Sequence, residues 1–194
     1  MCAGVLRDLT TAVGQAVQRA GDFLVLVGEP RDQLGGSLYA RLALDSGGSA
    51  PPELGLEREA RLHELAVSAA EGRWVRAAHD VSDGGLAATF AEMLLAAADP
   101  LGAEVDLGVL ETESTAALFS ERSGIVFEVD PARATSLFQA ARDRGLLAWP
   151  LGTVSARPRL SLLLPGGDRI GWEVEELRAA VRAPLPALWN EEDS

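Results

Sequence analysis

The stretch Ala78-His79-Asp80-Val81-Ser82-Asp83-Gly84-Gly85-Leu86-Ala87 limits the fold of this chain more than any other, because it leaves an apolar strand and enters an apolar helix through four small polar residues. A strand-turn-helix unit satisfies that pattern. Asp80 and Ser82 then sit at the C-terminal end of the strand. Gly84 and Gly85 let backbone N–H groups face a ligand where the helix dipole is positive, which is how α/β folds build anion sites. The same residues also fit a plainer turn in which Ser82 or Asp83 only caps the helix.

The rest of the chain alternates in the same way. Phe23 to Val27 is a continuous apolar run of strand length, ending at Gly28-Glu29-Pro30, and reads as a strand buried on both faces. Asp32-Gln33-Leu34-Gly35-Gly36-Ser37 is a second glycine turn, leading into a short helix over Leu38 to Leu44. Ser46 to Pro52, with Gly47-Gly48 and Pro51-Pro52, is a loop. Apolar positions at Leu56, Ala60, Leu62, Leu65, Ala66 and Ala69 predict a helix from about Glu53 to Glu71, stopped by Gly72. A strand follows over Trp74 to Val81 and a helix over Leu86 to Ala98. Ala103 to Leu107 and Ile125 to Val129 read as strands, with a helical connection over Glu111 to Ala117. Asp130-Pro131 starts a helix, Asp as cap and Pro at the first helical position, with Ala134, Leu137, Phe138 and Ala141 as its buried stripe. Leu146 to Val154, Arg159 to Leu164 and Ile170 to Trp172 are strand candidates, the last two joined by Pro165-Gly166-Gly167-Asp168. Glu173 to Arg182 is a final helix, and residues 190–194 are expected to be disordered. In Gly4 to Ala20 the apolar positions have mixed spacing and Gly14 interrupts, so the helical pattern there is faint. The expected architecture is α/β: a three-layer sandwich with a mixed sheet and helices on both faces.

Composition removes several functions. Net charge is −12, and all 17 basic residues are Arg. That balance argues against a nucleic-acid surface or an anionic membrane partner. Without Lys there is no Schiff-base chemistry and no P-loop lysine, so any phosphate must be met by Arg, backbone amides or a metal. Cys2 is the single cysteine and permits no internal disulfide and no thiolate cluster. A reducing cytoplasm fits. No apolar run approaches the roughly 18 residues of a membrane span, and no signal-like segment opens the chain.

The two glycine turns, at Gly35-Gly36-Ser37 and Ser82-Asp83-Gly84-Gly85, each follow a strand and precede a helix. Ligands of open α/β sheets favour the carboxyl ends of strands. Asp80 offers carboxylate oxygen to Mg²⁺, or else accepts backbone hydrogen bonds within its turn. His79 and Asp80 are adjacent in a strand, so their side chains point to opposite faces and His79 reads as structural. His63, in mid-helix, reads as a surface residue. A third polar cluster, Ser120-Glu121-Arg122-Ser123-Gly124, sits between Phe119 and the strand at Ile125, either binding a polar substrate or forming a solvated turn.

Taken in order, these segments resemble the C-terminal part of the phosphoribosylformylglycinamidine synthases, in the aminoimidazole ribonucleotide synthetase superfamily. The resemblance rests on the Asp22 to Glu29 run, Asp32-Gln33-Leu34-Gly35-Gly36-Ser37, His79 to Ala87, Leu118-Phe119-Ser120-Glu121, Glu176-Leu177-Arg178 and Pro184-Leu185-Pro186. It implies an α/β domain, partly ferredoxin-like, over residues 21–189, with residues 1–20 as the tail of a preceding nucleotide-handling domain. It further implies a share in an ATP-dependent C–N ligase of purine biosynthesis. There ATP and Mg²⁺ activate the amide oxygen of formylglycinamide ribonucleotide, and glutamine-derived ammonia displaces phosphate. On the same grounds Asp80 is the metal residue. Gly35, Gly36, Ser37, Ser82, Gly84, Gly85, Ser120 and Glu121 contact substrate. The partners are the upstream nucleotide-handling domains and a glutaminase subunit, and the chain alone is not expected to turn over. Arg122 stands where the family often carries a small polar residue. Two further readings remain: a non-catalytic docking module, and the equivalent domain of another superfamily member such as selenophosphate synthetase.

Overall fold

The protein is described here from a computed structural model that places residues 5, 8–29, 32–43, 50–51 and 54–183. Cys2, most of the 46–52 loop, Pro184-Leu185-Pro186 and residues 190–194 lie outside the described residues. Seven strands form one sheet: β1 (Phe23–Gly28), β2 (Val75–Asp80), β3 (Gly102–Asp106), β4 (Gly124–Val129), β5 (Ala148–Ser155), β6 (Arg159–Leu163) and β7 (Arg169–Glu173). Their order across the sheet is β2-β4-β1-β5-β3-β6-β7. The β3/β6 pair is parallel and every other neighbouring pair is antiparallel, so the sheet is mixed. Six helices complete the chain: α1 (Leu38–Ala43), α2 (Leu56–Glu71), α3 (Gly85–Leu95), α4 (Ser114–Phe119), α5 (Ala134–Asp143) and α6 (Val174–Arg182).

The apolar run of β1 is continuous because both faces of that strand are covered. Val25 and Val27 meet Leu62 and Leu65 of α2 and Leu137 and Ala141 of α5. Leu24 and Leu26 face a second cluster built on Phe90, Met93 and Leu94 of α3, with Leu160 and Leu162 of β6. Burying each such Leu, Phe or Met side chain contributes roughly 1.5–3 kcal/mol, so two opposed clusters rather than polar contacts hold the three layers together. The expected α/β sandwich is therefore present. Asp130 accepts from the Ala132 amide at 2.9 Å, the capping anticipated at Asp130-Pro131, and the 165–168 segment joins β6 to β7.

One expected boundary requires correction, and the faintly patterned residues 8–20 take a form of their own. Residues 8–20 are not helical: a single 3-10 turn at Leu9–Thr11 leads into an extended strap. Gly14 forms an isolated parallel bridge with Ala77, Val17 is buried in the α3-side cluster, and the Val17 amide donates to Met93 O at 3.2 Å. A segment whose backbone donors are satisfied by neighbouring elements has no need of helix, and Gly14 penalises one. The helix expected to reach Ala98 stops at Leu95, where the Ala96 amide closes onto Glu92 O at 3.0 Å.

The strap ends on a buried acid. Glu128 of β4 is fully buried, and its carboxyl accepts from the Gln18 amide (3.0 and 2.9 Å) and the Arg19 amide (2.8 Å). Burial pushes its pKa up to about 7, against those amide bonds, and buried Asp22 nearby adds to the rise while Arg76 opposes it. Arg76 itself bridges Asp22 and Asp130, each at 2.6 Å.

Candidate functional site

Topology decides where the motifs meet. β1 and β2 both run antiparallel to β4, so they are parallel to each other, and the C-terminal ends of both lie beside the start of β4. Gly28 pairs with Gly124 and Asp80 with Ile125. The segments leaving β1, leaving β2 and entering β4 are the three polar motifs, and all emerge on one sheet edge.

One carboxylate ties them together. Glu121 Oε1 accepts from the Leu38 amide at 2.7 Å, at the start of α1 beyond Gly35-Gly36-Ser37, and from the Gly84 amide at 2.8 Å, at the start of α3. The amides expected to face a ligand thus face an acid of the chain's own, placed where two helix starts favour negative charge. Gly84 is the cap residue of α3, with φ +86 and no side-chain capping bond, so neither Ser82 nor Asp83 caps the helix. Gly85 has φ +66, and a Cβ there would lie 2.6 Å from Leu118 O, which keeps α3 against the end of α4.

The remaining contacts extend this junction. Ser37 is buried, donating to Leu34 O at 2.7 Å and accepting from the Ala40 amide at 3.1 Å, so its hydroxyl starts α1. Tyr39 stacks on Phe119 with centroids 4.7 Å apart, a geometry worth roughly 0.5–1.5 kcal/mol beyond burial. Asp32 accepts from the Thr112 hydroxyl and from the Glu113 amide at 2.8 Å. Arg122 donates to Gln33 Oε1 at 2.8 Å and Glu29 Oε2 at 3.1 Å, so it is no solvated turn residue. Arg58, in the first turn of α2, pairs with the same Glu29 oxygen at 2.9 Å and with Glu59 at 3.0 Å, while Ser123 donates to Glu59. Burial pushes the Glu59 carboxyl up, and Ser123 and Arg58 more than reverse this, holding it below its usual range. Sequence reasoning missed Glu29, Arg58 and Glu59. Their only signal is charge at the end of a strand and the start of a helix, which any solvated surface also shows.

The other candidates are placed differently. The Asp80 side chain is 73% exposed, and its carbonyl, not its carboxylate, accepts from Thr89 Oγ1 at 3.3 Å. His79 is buried, with Nδ1 2.7 Å from Asp80 O and Nε2 2.9 Å from Glu92, contacts that suit a structural residue. His63 is exposed. Ser82 is exposed, whereas Ser120 is half-buried and its Oγ has no hydrogen-bond partner among the described residues. Beneath the three loops lies a cavity of about 30 Å³, bordered by Glu29, Ser120 and Arg122. Small-molecule sites run to roughly 300–1,000 Å³, so a ligand at this edge lies on the loops rather than within the domain. Among the described residues no three His, Cys, Asp or Glu side chains gather to hold a metal. Asp80 brings one exposed carboxylate to this edge. No helix among the described residues is long and apolar enough to cross a membrane.

Comparison with known proteins matches residues 19–165 to the family described as AIR synthase related protein, C-terminal domain. The chain is 37% identical over 189 residues to a phosphoribosylformylglycinamidine synthase subunit PurL of Thermobifida fusca, covering 96% of this chain and 24% of that protein. It thus spans about a quarter of the length of this curated relative. Among solved structures, PurL of Thermotoga maritima complexed with FGAR superposes with a TM-score of 0.72 at 20% identity, covering 87% of this chain and 30% of that one. The same protein complexed with ATP gives 0.68 at 20% identity, over 86% and 27% of the two chains. At those identities the likeness is one of fold.

Proposed function

This chain belongs to the AIR synthase related proteins as one of their C-terminal domains, and from that premise we propose that it serves as a C-terminal domain of a phosphoribosylformylglycinamidine synthase. The reaction spends ATP to turn the amide oxygen of formylglycinamide ribonucleotide into a phosphate leaving group, which ammonia released from glutamine displaces to give the amidine. The protein's task in such a step is positioning and charge neutralisation. This domain contributes one edge of the site, and the nucleotide-handling domains contribute the remainder, with residues 1–20 as the connection from the preceding one. A glutaminase subunit supplies the ammonia, the setting is cytoplasmic, and the chain by itself does not turn over.

The observation that carries this reading is the Glu121 carboxylate joining the starts of α1 and α3 at 2.7 and 2.8 Å. It gives the three family motifs one junction, on which Gly36, Ser82 and the Asp80 side chain are exposed and Gly35 is half-buried. Gly35, Gly36 and Ser82, with the exposed Asp80 carboxylate, meet the ligand. Ser37, Gly84, Gly85, Ser120 and Glu121 hold the edge in shape. Asp80 is the residue that would meet a magnesium ion brought with the nucleotide, and no step here depends on it. In the intact enzyme the metal neutralises phosphate charge.

A chimera tests this reading: the matching quarter of the Thermobifida fusca synthase replaced by this chain and assayed with ATP, formylglycinamide ribonucleotide and ammonia. Retained amidine formation, with none from the chain alone, is the expected result. Turnover by the isolated chain, or an inert but folded chimera, overturns it. A second reading, a supporting module without ligand contacts, is favoured by the same Glu121 bonds, since they consume amides a ligand would need. The chimera carrying Asp80→Ala separates the two, because only a supporting module keeps full turnover.

A further inference from the structure

At the sheet edge opposite the motif loops, the end of α2, the start of β2 and the turn after β4 enclose a cavity of about 390 Å³. That size lies within the range of small-molecule sites. Its polar lining is basic, with Arg73, Arg76 and Arg133 joined by Thr10, Thr11 and Gln18. In a chain of net charge −12 with no Lys, three guanidiniums on one cavity are a local reversal of sign.

The acids nearby are already engaged. Asp130, the one carboxylate in the lining, accepts from the Ala132 amide at 2.9 Å and from Arg76 at 2.6 Å. The Ala132 amide first, then Arg76 and Arg19, hold its carboxyl below the usual range despite some burial. Asp22 takes the other face of Arg76. Arg76 is thereby neutralised, and Arg73 and Arg133 set the sign of the cavity. Arg73 donates to Thr10 Oγ1 at 2.7 Å and approaches Asp8 only to 4.0 Å, both partners in solvent. The Arg133 side chain makes no ion pair or hydrogen bond among the described residues.

The backbone adds a further indication. Arg73 occupies the left-handed region at φ 54, directly after a glycine that does not. A side chain there is strained, and the guanidinium donates to Thr10. Val13, Ala70 and Trp74 supply an apolar wall beside these charges.

We propose that this cavity binds a phosphate monoester of a small metabolite, its phosphate held by Arg73 and Arg133 and its carbon skeleton against Trp74. Planar guanidiniums match a phosphate's paired oxygens, and an anion of that kind completes the donors left over here. The site is separate from the motif edge and stands whether or not the domain serves the proposed synthase.

The test is an NMR titration of the isotopically labelled full chain with ribose 5-phosphate, inorganic phosphate and ribose. Saturable shifts at Thr10, Thr11, Gln18, Arg73 and Arg133 with ribose 5-phosphate, weaker ones with inorganic phosphate and none with ribose are expected. Arg133→Gln removes a side chain without partners among the described residues, so it should leave thermal stability unchanged and weaken binding about tenfold, the equivalent of one charge-assisted hydrogen bond. Arg73→Gln weakens it further. Absence of saturable shifts, shifts confined to residues 82–85, equal or tighter binding of inorganic phosphate, or full affinity in Arg133→Gln would each overturn the proposal.

Discussion

Replacing Glu128 by Gln isolates the cost of one buried acid. Its pKa, raised to about 7 from an ordinary value of 4.5, makes the folded chain hold a proton that the unfolded chain has released. Between those two pH values folding takes up a proton, so stability falls as pH rises through the window, by about 1.4 kcal/mol per unit at its centre. Integrating from pH 5 to pH 8 with those two constants gives a loss of about 2.5 kcal/mol from this group alone. Gln is uncharged throughout and keeps an oxygen where Oε1 now accepts from the Gln18 and Arg19 amides. Urea unfolding of both proteins at pH 5 and pH 8 gives the comparison, in which titrations elsewhere cancel. Relative to the parent, Glu128→Gln should gain about 2.5 kcal/mol between the two conditions. A gap that stays constant, or shifts the opposite way, would show that the three amide bonds hold Glu128 charged and that the reasoning from burial is wrong.

Gly85→Ala brings a Cβ to 2.6 Å from Leu118 O at a backbone φ of +66, and should cost about 2 kcal/mol or more in denaturant unfolding; an unchanged midpoint would mean α3 and α4 shift apart freely. Asp80→Ala alters a side chain 73% exposed, so stability should stay within about 0.5 kcal/mol while turnover of the chimeric synthase falls. Turnover equal to the parent's would remove Asp80 from the proposed site.

Legibility from sequence tracked the range of the interactions. Strand β1 announced itself because burial on both faces leaves no polar residue in Phe23 to Val27, and Asp130-Pro131 because a cap is a contact two residues long. The positions of residues 35–37 and 80–85 after strands, and of 120–121 before one, point to their convergence, and the parallel relation of β1 and β2 through β4 accounts for it. What filled the junction was not legible. Glu121 reaches Leu38 across 83 residues and Gly84 across 37, and Arg58 finds Glu29 from a helix whose charges look solvated. Glu128 sits in an apolar strand where its polar residue type conflicts with its burial, and the amides resolving that conflict lie some 110 residues away. Residues 8–20 show only a faint pattern, since a segment shaped by its neighbours' hydrogen bonds carries little pattern of its own.

Glu121 binds two separated chain segments at once. Backbone hydrogen exchange in Glu121→Ala, read residue by residue by NMR, addresses it directly. Loss of protection at both Leu38 and Gly84, with the β1 and β4 amides unchanged, is the predicted result. Protection that persists at either amide would mean that the two loops are held independently, and the single junction at this edge would not exist.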